Sequence, residues 1–199
     1  MSSSSESITS VDPVATVESF AALVRARRTH LLVERDRQIP AATIERLCEL
    51  ATWAPNHKKT WPWRFASLTG DARLRIGEAF VADMVDREFG DEVKRAKTLT
   101  KYARTPNVLV VGCSPHDNPG LHGENRDAVA AGIQTILLAA TAEGIASFWS
   151  TPPLIDSPRA LAYCGFDPDD RIIGLIYLGW PVSTVEAPAR QPLAVRHIS

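Results

Sequence analysis

NVLVVGC, residues 107–113, carries Val108, Leu109, Val110 and Val111 in one unbroken apolar run. A strand with one wet face alternates apolar and polar residues, so a continuous apolar run reads as a strand covered on both faces. A polar loop over Ser114–Gly123 follows, then a long helix from about Glu124 to Glu143, stopped by Gly144. That helix carries little charge after Asp127. It is expected to be buried nearly all round, as the central core helix or against another subunit. Further strands are expected over Arg64–Thr69, Ala146–Ser150 and Arg171–Leu178 (RIIGLIYL).

Working outward, Asp12–Pro13 reads as a helix start, with Val14, Val17, Ala21 and Val24 at helical spacing before Arg27-Arg28-Thr29. Pro40 starts a second helix with Ile44, Leu47, Cys48 and Ala51 on one face, and Pro55 ends it. Asp71 is placed to cap a third helix running towards Phe89. A charged helix spans roughly Asp91–Tyr102, its charges reading as a solvated face or lid and not as a binding patch. Asp156-Ser157-Pro158 starts a brief helix that Gly165 stops. Six helices mixed irregularly with four strands, without a repeat, predict an α+β fold in which helices clasp a mixed central sheet, with α/β as the neighbouring possibility.

The sequence has 199 residues, 22 basic against 23 acidic, and 45% hydrophobic residues. That is ordinary globular composition for a single domain, here expected over 13–199. A net charge of −1 argues against a nucleic-acid platform. The three cysteines, Cys48, Cys113 and Cys164, show no CxxC spacing, which points to a reducing compartment. The Ser-rich start, MSSSSESITS, reads as a disordered leader over residues 1–12 and not as a signal peptide. The longest uncharged stretch, Ala128–Ala142, is too short to span a bilayer. A cytoplasmic location without membrane contact is expected. The tail from Val182 to Ser199 has no period and needs packing from elsewhere to become ordered.

Several motifs carry chemistry, each beside a plainer reading. No GxGxxG, GxxxxGK[ST] or GxSxG is present, so any phosphate must be held by side chains. Arg27, Arg28 and Thr29 offer two guanidiniums and a hydroxyl, a good anion clamp. Arginines at a helix C-terminus also simply complement its dipole. Asn56-His57-Lys58-Lys59 precedes Trp61-Pro62-Trp63: a ring-contacting His between apolar walls, or a surface loop pinned by two tryptophans. Phe148-Trp149-Ser150-Thr151-Pro152-Pro153 ends a strand, a common ligand position, or forms a rigid turn. Cys113, His116 and His122 match no zinc spacing, so no metal site is assigned.

RRT after the first helix, APNHKKTWPWRF after the second, the Gly/Ala-rich helix, ASFWSTPP and RIIGLIYLGWP occur in that order. This set resembles the FMN-dependent nitroreductase superfamily, and within it the small single-domain branch whose loop reads APxHxxxxPWxF. The resemblance covers roughly Val17 to Leu193. It implies an intertwined homodimer with FMN at the subunit interface and a C-terminal tail wrapping the partner. By the same resemblance, Arg27 and Thr29 hold the phosphate and ribityl chain, with Arg28 adjacent in the cofactor site. His57 contacts the flavin, with Asn56 beside it. Trp149, Ser150 and Thr151 face the isoalloxazine, and Arg190 caps the phosphate. The family's Gln or Glu before Pro-Trp is Trp61 here. Its indole would stack on flat acceptors, fill the acceptor pocket, or pack on Trp63.

The implied activity is two-electron transfer from NADH or NADPH to an electron-poor acceptor, a nitroaromatic or quinone-like molecule, by a ping-pong route. FMN supplies the redox chemistry, so no catalytic side chain is named. A flavin-sequestering or regulatory protein on the same fold, with little turnover, is the alternative.

Overall fold

The computed structural model describes residues 14–199. The expected leader over 1–12 and the helix start at Asp12–Pro13 lie outside the described residues. The first helix, α1, spans Val17–Ala26, and its cap is Thr16, whose hydroxyl accepts from the Ser19 N–H at 3.1 Å. Helix α2 spans Ala41–Ala51 behind Pro40. Strand β1 (Trp63–Leu68) leads to α3 (Ala72–Asp86) and α4 (Glu92–Thr100). Asp91 caps α4, accepting from the Lys94 N–H at 2.7 Å. Then come β2 (Asn107–Cys113), α5 (Pro119–Ala142), β3 (Ala146–Ser150), α6 (Pro158–Tyr163) and β4 (Arg171–Gly179).

The α+β class and the four strands agree with the sequence reading. The sheet has the order β1-β2-β4-β3, and every neighbouring strand pair is antiparallel, where a mixed sheet was expected. The reason lies in the connections. Helices α3 and α4 carry the chain out and back, so β2 starts beside the end of β1, Leu68 pairing with Val108. Strands β2 and β3 both pair with β4 and therefore run in the same direction, joined by α5. The one parallel pairing among the described residues is an isolated bridge between Thr29 and Ser147.

Strand β2 is buried throughout and splits its side chains between two cores. Leu109 and Val111 pack with Leu47 and Ala51 of α2 and with Val129, Ile133 and Ile136 of α5. Val108 and Val110 pack with Ile76 and Phe80 of α3, Tyr102 and Leu161. This is the two-sided cover that an unbroken apolar run demands. Gly132 permits a close α2–α5 approach: a Cβ there would stand 2.8 Å from the Ala51 carbonyl oxygen.

Helix α5 departs from expectation twice. It begins at Pro119, before Glu124, because the Asn118 side chain accepts from the N–H groups of Gly120 and Leu121 while Pro119 occupies the first turn. It is also not buried all round, since Asp127, Ala131 and Gln134 remain exposed along one face.

On the far side of the sheet, α3 is tied to α6. The buried Asp83 carboxylate accepts from the Ser157 hydroxyl, from the Arg159 N–H at 3.0 Å and from the Arg159 guanidinium. Burial alone would raise this carboxyl, but the Ser157 and Arg159 hydrogen bonds outweigh it and hold Asp83 below the ordinary carboxylate range.

Candidate functional site

Helix α1 ends at Arg27, whose backbone turns extended and leaves the helix. The Arg27 guanidinium donates to the Thr29 hydroxyl at 3.1 Å. Thr29 in turn bridges Ser147, so this pair is fixed to the free edge of β3. Arg28 folds back onto α1 and donates to the carbonyl oxygens of Arg25 and Arg27, the capping role that the helix dipole favours. Its Nε is buried without a partner, as is the Ser147 hydroxyl nearby in sequence to the β3 turn.

The tail closes this region. Glu186, Pro188 and Arg190 join Arg27, Arg28 and Thr29 around a cleft of about 370 Å³. Four of the residues singled out in the sequence therefore meet at one place. Three are guanidiniums around a hydroxyl, the chemistry that binds a phosphate bidentately. Glu186 is the one carboxylate on its wall.

The loop after α2 is built differently. Lys58, Lys59 and Trp61 take left-handed backbone conformations, with φ of 58°, 52° and 53°. Each costs about 1–2 kcal/mol for a residue with a Cβ. Asn56 holds the loop in this shape. Its Oδ1 accepts from the Trp61 N–H at 2.9 Å, and its Nδ2 donates to the Thr60 hydroxyl at 2.9 Å. Thr60 donates onward to the buried Asn125, whose amide donates to the Ser114 carbonyl at 3.3 Å. Asn56 thus acts within the loop. His57 is exposed, with Nδ1 2.6 Å from Glu124 Oε2. It lines a separate shallow cleft with Pro55, Glu124 and Ala131. Trp61 is 61% exposed and meets Trp63 at a tilt, ring centroids 6.3 Å apart.

The third group lies where β3 ends. The Trp149 indole lies against Gly174 of β4, where any Cβ would collide with it. Ser150 is half-buried. Thr151 leads into Pro152 and Pro153 and forms one wall of a cleft of about 610 Å³ facing α4. The bridge from Thr29 to Ser147 places the first and third groups along one strand edge, with Trp149 two residues, or about 7 Å, beyond Ser147.

Glu124 and Asn125 escaped the sequence reading, because their partners lie in a loop distant in the chain. The only legible signal was polarity at the first turns of a helix that is otherwise apolar. The Cys113 thiol is pushed up to about 11, first by burial and then by Asp170. His116 Nδ1 accepts from the Asn118 N–H at 3.0 Å. Among the described residues, no cluster of three or more metal-ligating side chains forms, and no helix is long and apolar enough to cross a membrane.

This fold, with a guanidinium-lined cleft at the edge of β3, defines a class, and comparison with known proteins gives it a family. A sequence model of the Nitroreductase family matches residues 24–180, most of the chain. The protein belongs to the nitroreductase family. It is similar to YfhC of Bacillus subtilis strain 168, provisionally named an NAD(P)H nitroreductase: 27% identical over 177 residues, covering 87% of this chain and 90% of the relative. A nitroreductase-like family protein of Bacillus cereus superposes with a TM-score of 0.75 at 26% identity, covering 90% of this chain and 95% of that one. A nitroreductase from Bacteroides fragilis, solved with bound FMN, superposes with a TM-score of 0.70 at 22% identity, covering 90% and 98%.

Proposed function

We propose that this protein is an FMN-dependent NAD(P)H oxidoreductase acting as a homodimer on an electron-poor small molecule, a nitroaromatic or quinone. The observation that carries the reading is the cleft uniting Arg27, Arg28 and Thr29 with Arg190 of the tail. Its donor set suits a phosphate monoester, and the buried, unpartnered Arg28 Nε supplies a further N–H for an oxygen acceptor. Held there, FMN would supply the two-electron redox chemistry that links the nicotinamide donor to the acceptor.

The chain's own groups bind, orient and exclude water. Arg27 and Thr29, already hydrogen-bonded to each other, receive the phosphate at the edge of β3. Trp149, Ser150 and Thr151 continue that edge and border the ring. His57 lies in a different cleft of the same chain, with Asn56 bracing its loop, so a site that uses His57 together with the Arg27 cleft is assembled from two subunits.

Surface chemistry supports that assembly. Helix α1 buries no residue and leaves Val17 and Phe20 78% and 57% exposed. An isolated helix of ten residues is marginal in water, so its apolar side needs cover. Leu193 and Ile198 of the tail are each 88% exposed and need cover as well.

The test is direct. The purified protein is expected to show flavin absorbance, to release FMN on denaturation, and to oxidise NADH or NADPH with a nitroaromatic or quinone acceptor. A colourless protein that gains no flavin from added FMN refutes the reading. A flavin-loaded protein without turnover reduces it to flavin binding.

A further inference from the structure

Opposite the Thr151-Pro152-Pro153 turn, α4 and the 3-10 turn after it present Lys94, Lys97, Lys101 and Arg104 to the cleft of about 610 Å³. The three lysines follow at spacings of three and four, so they share one helix face. Like charges so placed destabilise a helix. Among the described residues, no carboxylate lies within ion-pair distance of any of the four. The one acid on the cleft wall, Asp91, is engaged by the backbone N–H of Lys94 as the α4 cap. Lys101 is half-buried, and burial first, then Arg104 and Lys94, holds its ammonium below the ordinary lysine range.

A solvated helix face has no need to gather four unneutralised cations into a concavity, one of them half-buried. The size of the cleft is that of a small-molecule site. Its opposite wall continues the β3 edge along which Arg27, Thr29 and Trp149 are ranged. Thr151 on that wall follows directly on Trp149 and Ser150, the residues assigned above to the ring of the cofactor.

We propose that this cleft receives the phosphates of the nicotinamide dinucleotide and selects the 2′-phosphorylated donor, NADPH, over NADH. The inference rests on the FMN-dependent reading above. Charge complementarity chooses between the donors. A 2′-phosphate brings about −1.5 to −2 charges, and each of the two bridging phosphates adds one more. Four cations less the Asp91 carboxylate leave a net charge of about +3 in the cleft, which the phosphates of NADPH neutralise in full, whereas the two phosphate charges of NADH leave about one cation uncompensated.

The experiment is calorimetric titration of the full-length, flavin-loaded protein with adenosine 2′,5′-bisphosphate and with 5′-AMP, at low and high salt. The bisphosphate is expected to bind at least about tenfold tighter than 5′-AMP, the scale of one charge-assisted contact, and to weaken with salt. Lys97→Glu and Arg104→Glu, both at exposed positions, should each remove about tenfold of the bisphosphate affinity. Flavin content and circular dichroism should stay unchanged. In steady state they should raise KM for NADPH more than for NADH and leave KM for the acceptor unmoved.

Equal affinity for the two adenosine phosphates refutes the proposal, as do variants that bind like the parent. A shift confined to the acceptor KM also refutes it and assigns the cleft to an anionic acceptor. Calorimetry reads the cleft independently of turnover. Absent flavin absorbance therefore marks failure of the FMN reading, and failure to discriminate in a flavin-loaded protein marks failure of this one alone.

Discussion

The loop Asn56–Trp61 stores strain, and glycine can release it. Lys58 and Lys59 hold φ of 58° and 52°, which costs a residue with a Cβ about 1–2 kcal/mol each. Glycine removes that penalty but adds unfolded-state freedom worth about 0.4–1 kcal/mol per site. The balance for Lys58→Gly or Lys59→Gly is a gain of about 0.8 kcal/mol, and about 1.6 kcal/mol for the pair. With a urea m-value of about 2 kcal/mol/M, the double variant should move the unfolding midpoint up by about 0.8 M. Neither lysine makes an ion pair among the described residues, so no ion pair is sacrificed. The relaxed loop should hold His57 and Trp61 less firmly, and kcat/KM for the acceptor should fall while stability rises. A midpoint that falls by a similar amount would mean that the left-handed geometry carries no penalty here, and the strain argument would fail.

Arg27→Ala should weaken FMN binding by about 1.5–3 kcal/mol, tenfold or more, in a fluorescence titration, since it removes a charge-assisted phosphate contact. Arg28→Ala should weaken FMN binding less than Arg27→Ala and also cost about 1 kcal/mol of stability, because Arg28 caps the carbonyls at the end of α1 as well as lining the cleft. Asp83→Asn should lower stability at pH 7 by about 1.5–3 kcal/mol, measured by urea denaturation. The folded Asp83 carboxyl lies below its ordinary value, so its contribution is present above about pH 4 and is lost as pH falls through the folded value; the gap to the parent should close in acid. Trp61→Gln should change acceptor kcat/KM several-fold with little change in thermal stability, since the indole is 61% exposed; a large stability loss with unchanged acceptor selectivity would make Trp61 a structural residue.

Hydrophobic pattern made the strands legible. Apolar runs at 107–113 and 171–178 have one physical use in a chain of this composition, a strand between two layers, and both cores meet across them. The start of α5 was obscured because Pro119, Gly120 and Gly123 carry loop signatures, and the Asn118 cap with Pro in the first turn overrides them. The antiparallel order was hidden because it depends on how α3 and α4 pack, a tertiary fact. At the site, Arg27, Arg28 and Thr29 were legible as a candidate anion clamp from their chemistry, whereas Arg190 was reached only through the family resemblance; the structure brings all four to one cleft. The left-handed turn at Lys58, Lys59 and Trp61 was not, because those residue types carry no turn signal and the shape is imposed by Asn56 and, through Thr60, by Asn125. The charges of α4 read as a solvated face because the wall that makes them a cleft, Thr151–Pro153, comes fifty residues later.

The division of the candidate residues among three clefts gives the proposed dimer its physical logic. Arg27, Arg28, Thr29 and Arg190 share one concavity, Thr151 lines a second, and His57 lines a third. Thr29 and Thr151 are joined through the edge of β3, whereas His57 is tied to Glu124 at the opening of α5. The exposed line Asp127, Ala131 and Gln134 continues along α5 from that His57 cleft, and Asp127 and Ala131 are part of both. A second copy packed on this line would bring its own surface to His57 without moving any core residue. The small side chain at Ala131 would allow close approach there. Assembly and site completion would then be one event, so a substitution that blocks pairing, such as Ala131→Arg, should lower flavin affinity although residue 131 need not touch the flavin.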